Sequence, residues 1–396
     1  MINYFNFIPA GLLLWIMTTG CTSNDVMPEV PEHIHEMENV TIYSSGDISS
    51  VNTLKLNYEQ TFGSSDHVVL GNLGSIEVDR DGKLFVTDMD QKTIHVFLPD
   101  GSYLTNIGRE GSGPGEFYYI NSLKVISDGL YVLDSARQME SVFSTTTFDL
   151  LSTMNLRPVN LNQIEEIQGA NPSRYEIRSD GMYLVGFLPR RRMESIEGER
   201  TVPYYLMERD RTINTEKIIR VNDLQFLTTT MNGEPWAATF PFTPMAIISI
   251  SINDEIYVSG AEDFLIKIYN PSGDYIRAFY HSSYTGVSLE RSALLRDYPN
   301  EMHQKMIREA NLPETWPALD AMLFDDESRI WVSTIVEDFE IYEWWVLDDE
   351  TGELITRFEW PRSKPLKVVR NGHVYTRETD EETGLQAVVR YRVELK

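Results

Sequence analysis

The chain has 396 residues, with 34 Lys and Arg against 60 Asp and Glu, which gives a formal net charge of −26. A surface this acidic repels phosphate backbones, so we expect no nucleic-acid partner. Cys21 is the single cysteine, which excludes a disulfide within the chain and a thiolate metal cluster.

The N-terminus carries a short apolar run at residues 8–19, followed by Gly20 and Cys21. This run is too short to cross a hydrocarbon core of about 30 Å, and it is typical of a secretory signal, here residues 1–20. The ending TTGC resembles that of bacterial lipoprotein signals. The resemblance implies that Cys21 carries acyl chains and that the protein is anchored in the cell envelope, facing the periplasm or the outside. The alternative is a structural cysteine after an ordinary apolar segment.

Residues 21–52 contain two prolines, several acids and the stretch SSGDISS. This composition predicts a flexible tether. His33 and His35 lie in it, and we expect both to be solvated.

The remainder, 53–396, contains a repeated pattern. Six segments combine a turn rich in Asp, Asn and Gly with a short alternating strand that carries an aromatic residue. The segments are 80–88, 127–134, 179–187, 253–260, 326–334 and 371–378, and their aromatics are Phe85, Tyr131, Tyr183, Tyr257, Trp331 and Tyr375. Further alternating segments flank each one, so every unit holds four short strands. Six such units predict an all-β, six-bladed β-propeller with four-stranded antiparallel blades.

The last unit lacks one strand of its own. Residues 53–62 (TLKLNYEQTF) alternate and have no local partner. We expect them to pair with 388–395 and close the ring, because this pairing removes open sheet edges.

Residues 82–117 resemble an NHL-type propeller repeat through Val86-Thr87-Asp88, Asp100-Gly101 and the stretch GSGPGEF at 111–117. The whole of 53–396 is similar to six-bladed propeller lipoproteins of Bacteroidetes-like bacteria. Many members of that family have no assigned activity, so the resemblance implies a fold and an envelope location.

The long connections fall on one face of the predicted propeller, the face that carries the loops between second and third strands and the connectors between blades. They are 189–200, 221–242 and the segment from 281 to 316. The last contains a helical insert at about 284–315, in which Ser288 can cap a first helix and Pro299 separates it from a second. This insert is either a packing lid or a wall of a ligand site.

Binding residues are expected on that long-loop face. Arg190, Arg191 and Arg192 stand out against the acidic background, either as a solvated hairpin balanced by nearby glutamates or as an anchor for an acidic ligand. Residues that start inner strands line the channel mouth of a propeller. The candidates on this argument are Asn72, Asn121, Arg174, Trp316 and Arg109.

The catalytic motifs of hydrolases, zinc proteases and nucleotide-binding loops are missing from the sequence. We therefore predict no catalytic residue, no metal ligand and no cofactor, although the many carboxylates leave Ca²⁺ open. The predicted function is a monomeric, membrane-anchored binding protein without catalysis, for an envelope protein, a peptide or a glycan. The alternatives are a carbohydrate-active propeller enzyme, such as a lactonase or polysaccharide lyase, with a divalent metal at the channel mouth, and a purely structural scaffold.

Overall fold

The computed structural model describes residues 30–44, 52–63, 68–188, 201–222, 225–243, 245–260 and 262–396. They form six blades of four antiparallel strands each, and one of the six sheets gains a fifth strand at its outer edge. The four strands follow sequence order from the inside outwards in every blade except the last. The first strands of the sheets surround a central channel, and in four of the six neighbouring pairs of sheets these strands contact each other closely. The prediction of an all-β, six-bladed propeller is confirmed.

The blades, numbered 1 to 6, take their strands in chain order, except that the outermost strand of blade 6 comes from the N-terminal part of the chain. The strands are Leu73–Val78, Leu84–Asp88, Thr93–Phe97 and Tyr103–Ile107 in blade 1; Ile120–Ile126, Gly129–Asp134, Met139–Ser144 and Leu150–Asn155 in blade 2; Asn171–Ile177, Tyr183–Leu188, Thr201–Met207 and Ile213–Asn222 in blade 3; Ile247–Ile250, Ile256–Ser259, Leu265–Tyr269 and Tyr275–His281 in blade 4; Leu319–Phe324, Arg329–Ile335, Ile341–Asp348 and Leu354–Pro361 in blade 5; and Leu366–Arg370, His373–Thr379, Gln386–Leu395 and Leu54–Phe62 in blade 6.

Short elements lie in the connections between the blades. They are the paired strands Arg109–Glu110 and Glu116–Phe117, the 3-10 turns Leu161–Gln163 and Glu165–Ile167, the hairpin Leu227–Met231 with Glu234–Ala238, and the helices Arg291–Asp297 and Glu301–Glu309. No helix in the described part of the chain is long and apolar enough to cross a membrane.

The hydrophobic core lies between neighbouring blades. Phe85 packs among blade 2 residues, Tyr257 packs against blade 5, and Trp331 packs against blade 6. Blade 3 departs from the predicted alignment, because Tyr183 faces blade 2 whereas Leu184 faces blade 4. Counted from the Asp-Gly pair of its turn, Leu184 occupies the place that Phe85 has in blade 1, so the equivalent position in blade 3 carries a leucine.

The two ends of the propeller sequence pair with each other. Leu54–Phe62 runs antiparallel to Gln386–Leu395, with Leu54 opposite Leu395 and Phe62 opposite Val388. Phe62 is fully buried and packs with Tyr375 of blade 6 and with Phe97 of blade 1. The strand therefore joins blade 6 and also contributes to the core between blades 6 and 1.

The prediction of a flexible tether is wrong for residues 30–43. Glu32–His35 is a short helix, and Val40–Tyr43 is a fifth strand of the blade 4 sheet, parallel to Ala278–His281. Ile34 is fully buried against the outer strands of blade 4, and His33 Nε2 lies 3.0 Å from a carboxylate oxygen of Asp263, so His33 is paired. We call residues 30–43 the N-terminal arm. Its composition, rich in Pro and acidic residues, predicts a tether, but one buried isoleucine and one short strand are sufficient to dock it on blade 4.

The helical insert lies where the sequence placed it, and Pro299 separates its two helices. Ser288 does not cap the first helix, since the helix begins after Glu290 and no side chain caps it. The second helix is capped by Asn300, whose side-chain oxygen accepts hydrogen bonds from the backbone N–H groups of Met302 and His303 at 3.0 and 3.2 Å.

Candidate functional site

The upper face of the propeller, as we call the face of the long connections, carries a cavity of about 660 Å³ at the mouth of the channel. Its wall combines the start of innermost strands with the loop between the second and third strands of blade 1. Its polar lining residues are Asn72, Ser75, Glu77, Asp90, Lys92, Tyr119, Asn121, Lys367 and Arg377. Two predicted site residues, Asn72 and Asn121, therefore lie together at this cavity.

Both asparagines also have partners within the protein. The Asn72 side-chain N–H group donates to Asp90 at 3.4 Å, and the side-chain oxygen of Asn121 accepts from the Ser135 N–H at 3.0 Å. Arg377 donates to the backbone oxygen of Leu73 at 2.8 Å, which fixes its guanidinium across the joint between blades 6 and 1. These contacts hold the wall of the cavity in place before any ligand binds.

The other predicted site residues lie elsewhere. Arg109 is exposed on the connector after blade 1, where it pairs with Glu116 at 2.7 Å. Arg174 lies on the innermost strand of blade 3 and donates to the sulfur of Met245 at 3.9 Å. Trp316 packs against the insert, with ring centroids 5.8 Å from Phe242. Arg190, Arg191 and Arg192 lie outside the described residues.

The insert forms a small subdomain with the hairpin Leu227–Met231 and Glu234–Ala238. Phe240, Phe242, Leu294, Met306 and Ile307 form its buried core, and Thr229 donates a hydrogen bond to Glu309 at 2.7 Å. The described residues of the insert do not contribute to the wall of the upper cavity. These contacts favour the packing lid over the ligand-site wall.

Charged residues on the innermost strands were missed by the sequence analysis. Glu77, Lys124 and Glu176 pair with Phe85, Tyr131 and Leu184, so they occupy the same position in blades 1, 2 and 3. The same position in blades 4, 5 and 6 carries Ser249, Leu323 and Val368. Blade 6 adds Lys367 and Arg370, and these five charged residues border a second cavity of about 460 Å³ within the channel.

These channel charges influence one another. Burial raises the pKa of the Glu77 carboxyl, and the positive charges of Lys124 and Arg370 oppose that rise. The surrounding protein likewise raises the pKa of Glu176, with Lys124 opposing and Glu77 adding to the rise. Burial lowers the pKa of Lys367, and nearby Arg377 lowers it further. The Glu176 side chain stays accessible to water from the channel, so a small molecule can reach it.

Among the described residues, no group of three or more His, Cys, Asp or Glu side chains is arranged to hold a metal ion. Ca²⁺ binding and the alternative of a carbohydrate-active enzyme stay predictions.

A model of the family DUF5128, described as a six-bladed β-propeller, matches residues 30–270 of this chain. The match spans more than half of the sequence. The chain belongs to this family. Its N-terminal arm falls within the matched range, as do blades 1 to 3 and most of blade 4.

Two solved structures from Bacteroides share the fold. One, from Bacteroides fragilis and named "Putative exported protein", is 14% identical with a TM-score of 0.50, and the alignment covers 90% of this chain and 99% of that one. The other, a member of the DUF4221 family from Bacteroides vulgatus, is 10% identical with a TM-score of 0.52, and 88% and 99% of the chains are covered. No curated protein matches this chain. At these identities the structures support the fold of this DUF5128 member and nothing further.

Proposed function

We propose that this protein is a non-catalytic binding protein of the bacterial cell envelope. Its ligand is a protein, a peptide or a glycan, and it binds on the upper face. The observation that carries the proposal is the cavity of about 660 Å³ at the channel mouth, which lies within the size range of ligand sites.

The chemistry of the wall suggests which ligands fit. Asn72 and Asn121 offer amide groups. The wall also holds three cations, Lys92, Lys367 and Arg377, against the two carboxylates of Glu77 and Asp90, in a protein with a net charge of −26. Amides bind hydroxyl and peptide groups, and cations bind carboxylates. A glycan or peptide that carries an acidic group therefore complements this surface best.

The envelope location rests on the proposed lipid anchor at Cys21 and on the resemblance of 53–396 to six-bladed propeller lipoproteins of Bacteroidetes-like bacteria. The name of the Bacteroides fragilis structure agrees with export. Metabolic labelling with a palmitate analogue, followed by membrane fractionation, tests the anchor. Wild-type protein should be labelled and should sediment with membranes, whereas Cys21→Ser should do neither. Unlabelled wild-type protein would contradict the anchor.

The binding role is tested by retention of acidic envelope glycans and peptides on immobilised protein. Lys367→Glu places a negative charge in the wall of the upper cavity and should abolish retention. Lys55→Glu makes the same change on the exposed outer strand of blade 6 and should leave retention unchanged. Retention that is equal in both variants, or that is missing from the wild type, would contradict the proposal.

A further inference from the structure

A ring of alternating charge lies deeper in the channel than the upper mouth. Going around the channel, the innermost strand of blade 6 contributes Arg370 and Lys367, that of blade 1 Glu77, that of blade 2 Lys124 and that of blade 3 Glu176, so that positive and negative residues alternate over four consecutive blades. The turns that follow innermost strands add Arg80, Asp254, Asp325 and Asp326 to the wall of the cavity. Each of the two glutamates is within electrostatic reach of a neighbouring cation, since Lys124 acts on both glutamates and Arg370 acts on Glu77. We call Arg370, Glu77, Lys124 and Glu176 the charge ring.

Three members of the charge ring have no partner in the protein. Lys124, Glu176 and Arg370 form no hydrogen bond and no ion pair with any described residue, and Arg370 Nε is buried without an acceptor. Lys124 and Glu176 are exposed to the water of the channel, and Glu77 and Arg370 are half-buried. Because these charges border one cavity and are not used up by ion pairs with each other or with other described residues, a ligand that enters the channel can pair with them.

The sign pattern limits the chemistry of that ligand. A simple anion at Lys124 would lie between Glu77 and Glu176, and a simple cation at Glu77 would lie between Lys124 and Arg370. A molecule that carries both charges can satisfy neighbouring positions at once. The cavity of about 460 Å³ has room for a small organic molecule.

We propose that the charge ring binds a small zwitterion, an amino acid or a related amino carboxylate. Its carboxylate pairs with Lys124 and Arg370, and its ammonium group pairs with Glu77 and Glu176. This site goes beyond the proposed function, because Lys124, Glu176 and Arg370 line the channel cavity and not the upper cavity, although Glu77 borders both.

The test is isothermal titration at neutral pH with three probes of equal chain length: ε-aminocaproate, hexanoate and hexylamine. The zwitterion should bind at least about tenfold more tightly than either singly charged probe. Lys124→Met and Glu176→Gln should each weaken its binding by about tenfold or more. Lys55→Met and Glu216→Gln make the same changes at exposed positions away from the channel and should bind as the wild type does.

Several results would overturn the inference. They are equal binding of the three probes, no binding of ε-aminocaproate at millimolar concentrations, or unchanged binding by Lys124→Met and Glu176→Gln once circular dichroism shows that both variants are folded. A protein that retains acidic envelope ligands through Lys367 but shows one of these results loses the zwitterion site and keeps the proposed function.

Discussion

Acid should destabilise this propeller through one buried histidine. His281 ends the outermost of the four strands of blade 4 and is 2% exposed. Its Nε2 lies 3.0 Å from the backbone oxygen of Gly352, and its ring stacks on Tyr43 of the N-terminal arm with centroids 4.9 Å apart. Burial lowers the pKa of His281 from 6.5 to about 4, although the Gly352 carbonyl opposes this effect.

The sign and size of the effect follow from these two pKa values. Between pH 6.5 and about pH 4 the unfolded chain binds a proton that the folded protein excludes. The free energy of unfolding therefore falls as the pH falls through this window and is unaffected by His281 above it. Each unit of pKa difference corresponds to about 1.4 kcal/mol, so the loss approaches about 3 kcal/mol near pH 4.

Urea unfolding at a series of pH values measures this loss. His281→Gln keeps an N–H donor and does not titrate, so subtracting its free energy of unfolding from that of the wild type removes the titration of distant carboxylates. The wild type should be the more stable protein at neutral pH and should lose about 3 kcal/mol relative to the variant by about pH 4. His35→Gln, at an exposed position of the arm, is the control and should follow the wild type.

A difference between wild type and His281→Gln that stays constant across the pH range would refute the reasoning. It would mean that the folded protein accepts the proton at the same pH as the unfolded chain.

Two substitutions test the ring closure and a tight turn by denaturant unfolding. Phe62→Ala removes a fully buried ring from the core between blades 6 and 1 and should lower the free energy of unfolding by about 3–5 kcal/mol. Tyr58→Ala, on the same strand, removes an exposed ring and should lower it much less. Equal losses would show that this strand does not close the ring. Gly352→Ala should lower the free energy of unfolding several times more than Gly372→Ala does. Both glycines have positive φ, but only at Gly352 does the added methyl group collide with the Phe279 ring. Equal losses would show that the turn can move away from Phe279.

The architecture was readable from the sequence because each unit carries its own local signals. Asp-Gly and Asn-Gly turns favour hairpins, and period-two alternation favours strands, so the four-stranded units emerge without knowledge of the fold. The pairing of 53–62 with 388–395 was also accessible, since an unpartnered alternating strand needs an edge. The prediction was wrong for blade 3, where it aligned Tyr183 with the repeated aromatic residues of the other blades. The residue at the equivalent position is Leu184, one place further along the chain.

The channel charges could also have been found. Glu77, Lys124 and Glu176 each interrupt an apolar stretch within a predicted innermost strand, and a charge in such a place must either pair or face the channel. The candidates that the sequence indicated, such as Asn72 and Asn121, lie at the starts of the inner strands, whereas these charged residues lie further along them. The position that three consecutive blades share is set by strand register, and register depends on long-range pairing that a single sequence does not display.

The docked arm changes how an anchored propeller would be held. Sequence composition suggested a tether that reaches from Cys21 to residue 52, long enough to leave the propeller free above a membrane. Instead, Val40–Tyr43 is part of the blade 4 sheet, and Val30 packs against the outer strands of that blade. Eight residues lie between Cys21 and Val30, and the nine steps from one to the other span at most about 30 Å. With acyl chains on Cys21, as proposed, the outer edge of blade 4 would therefore lie within that distance of the membrane.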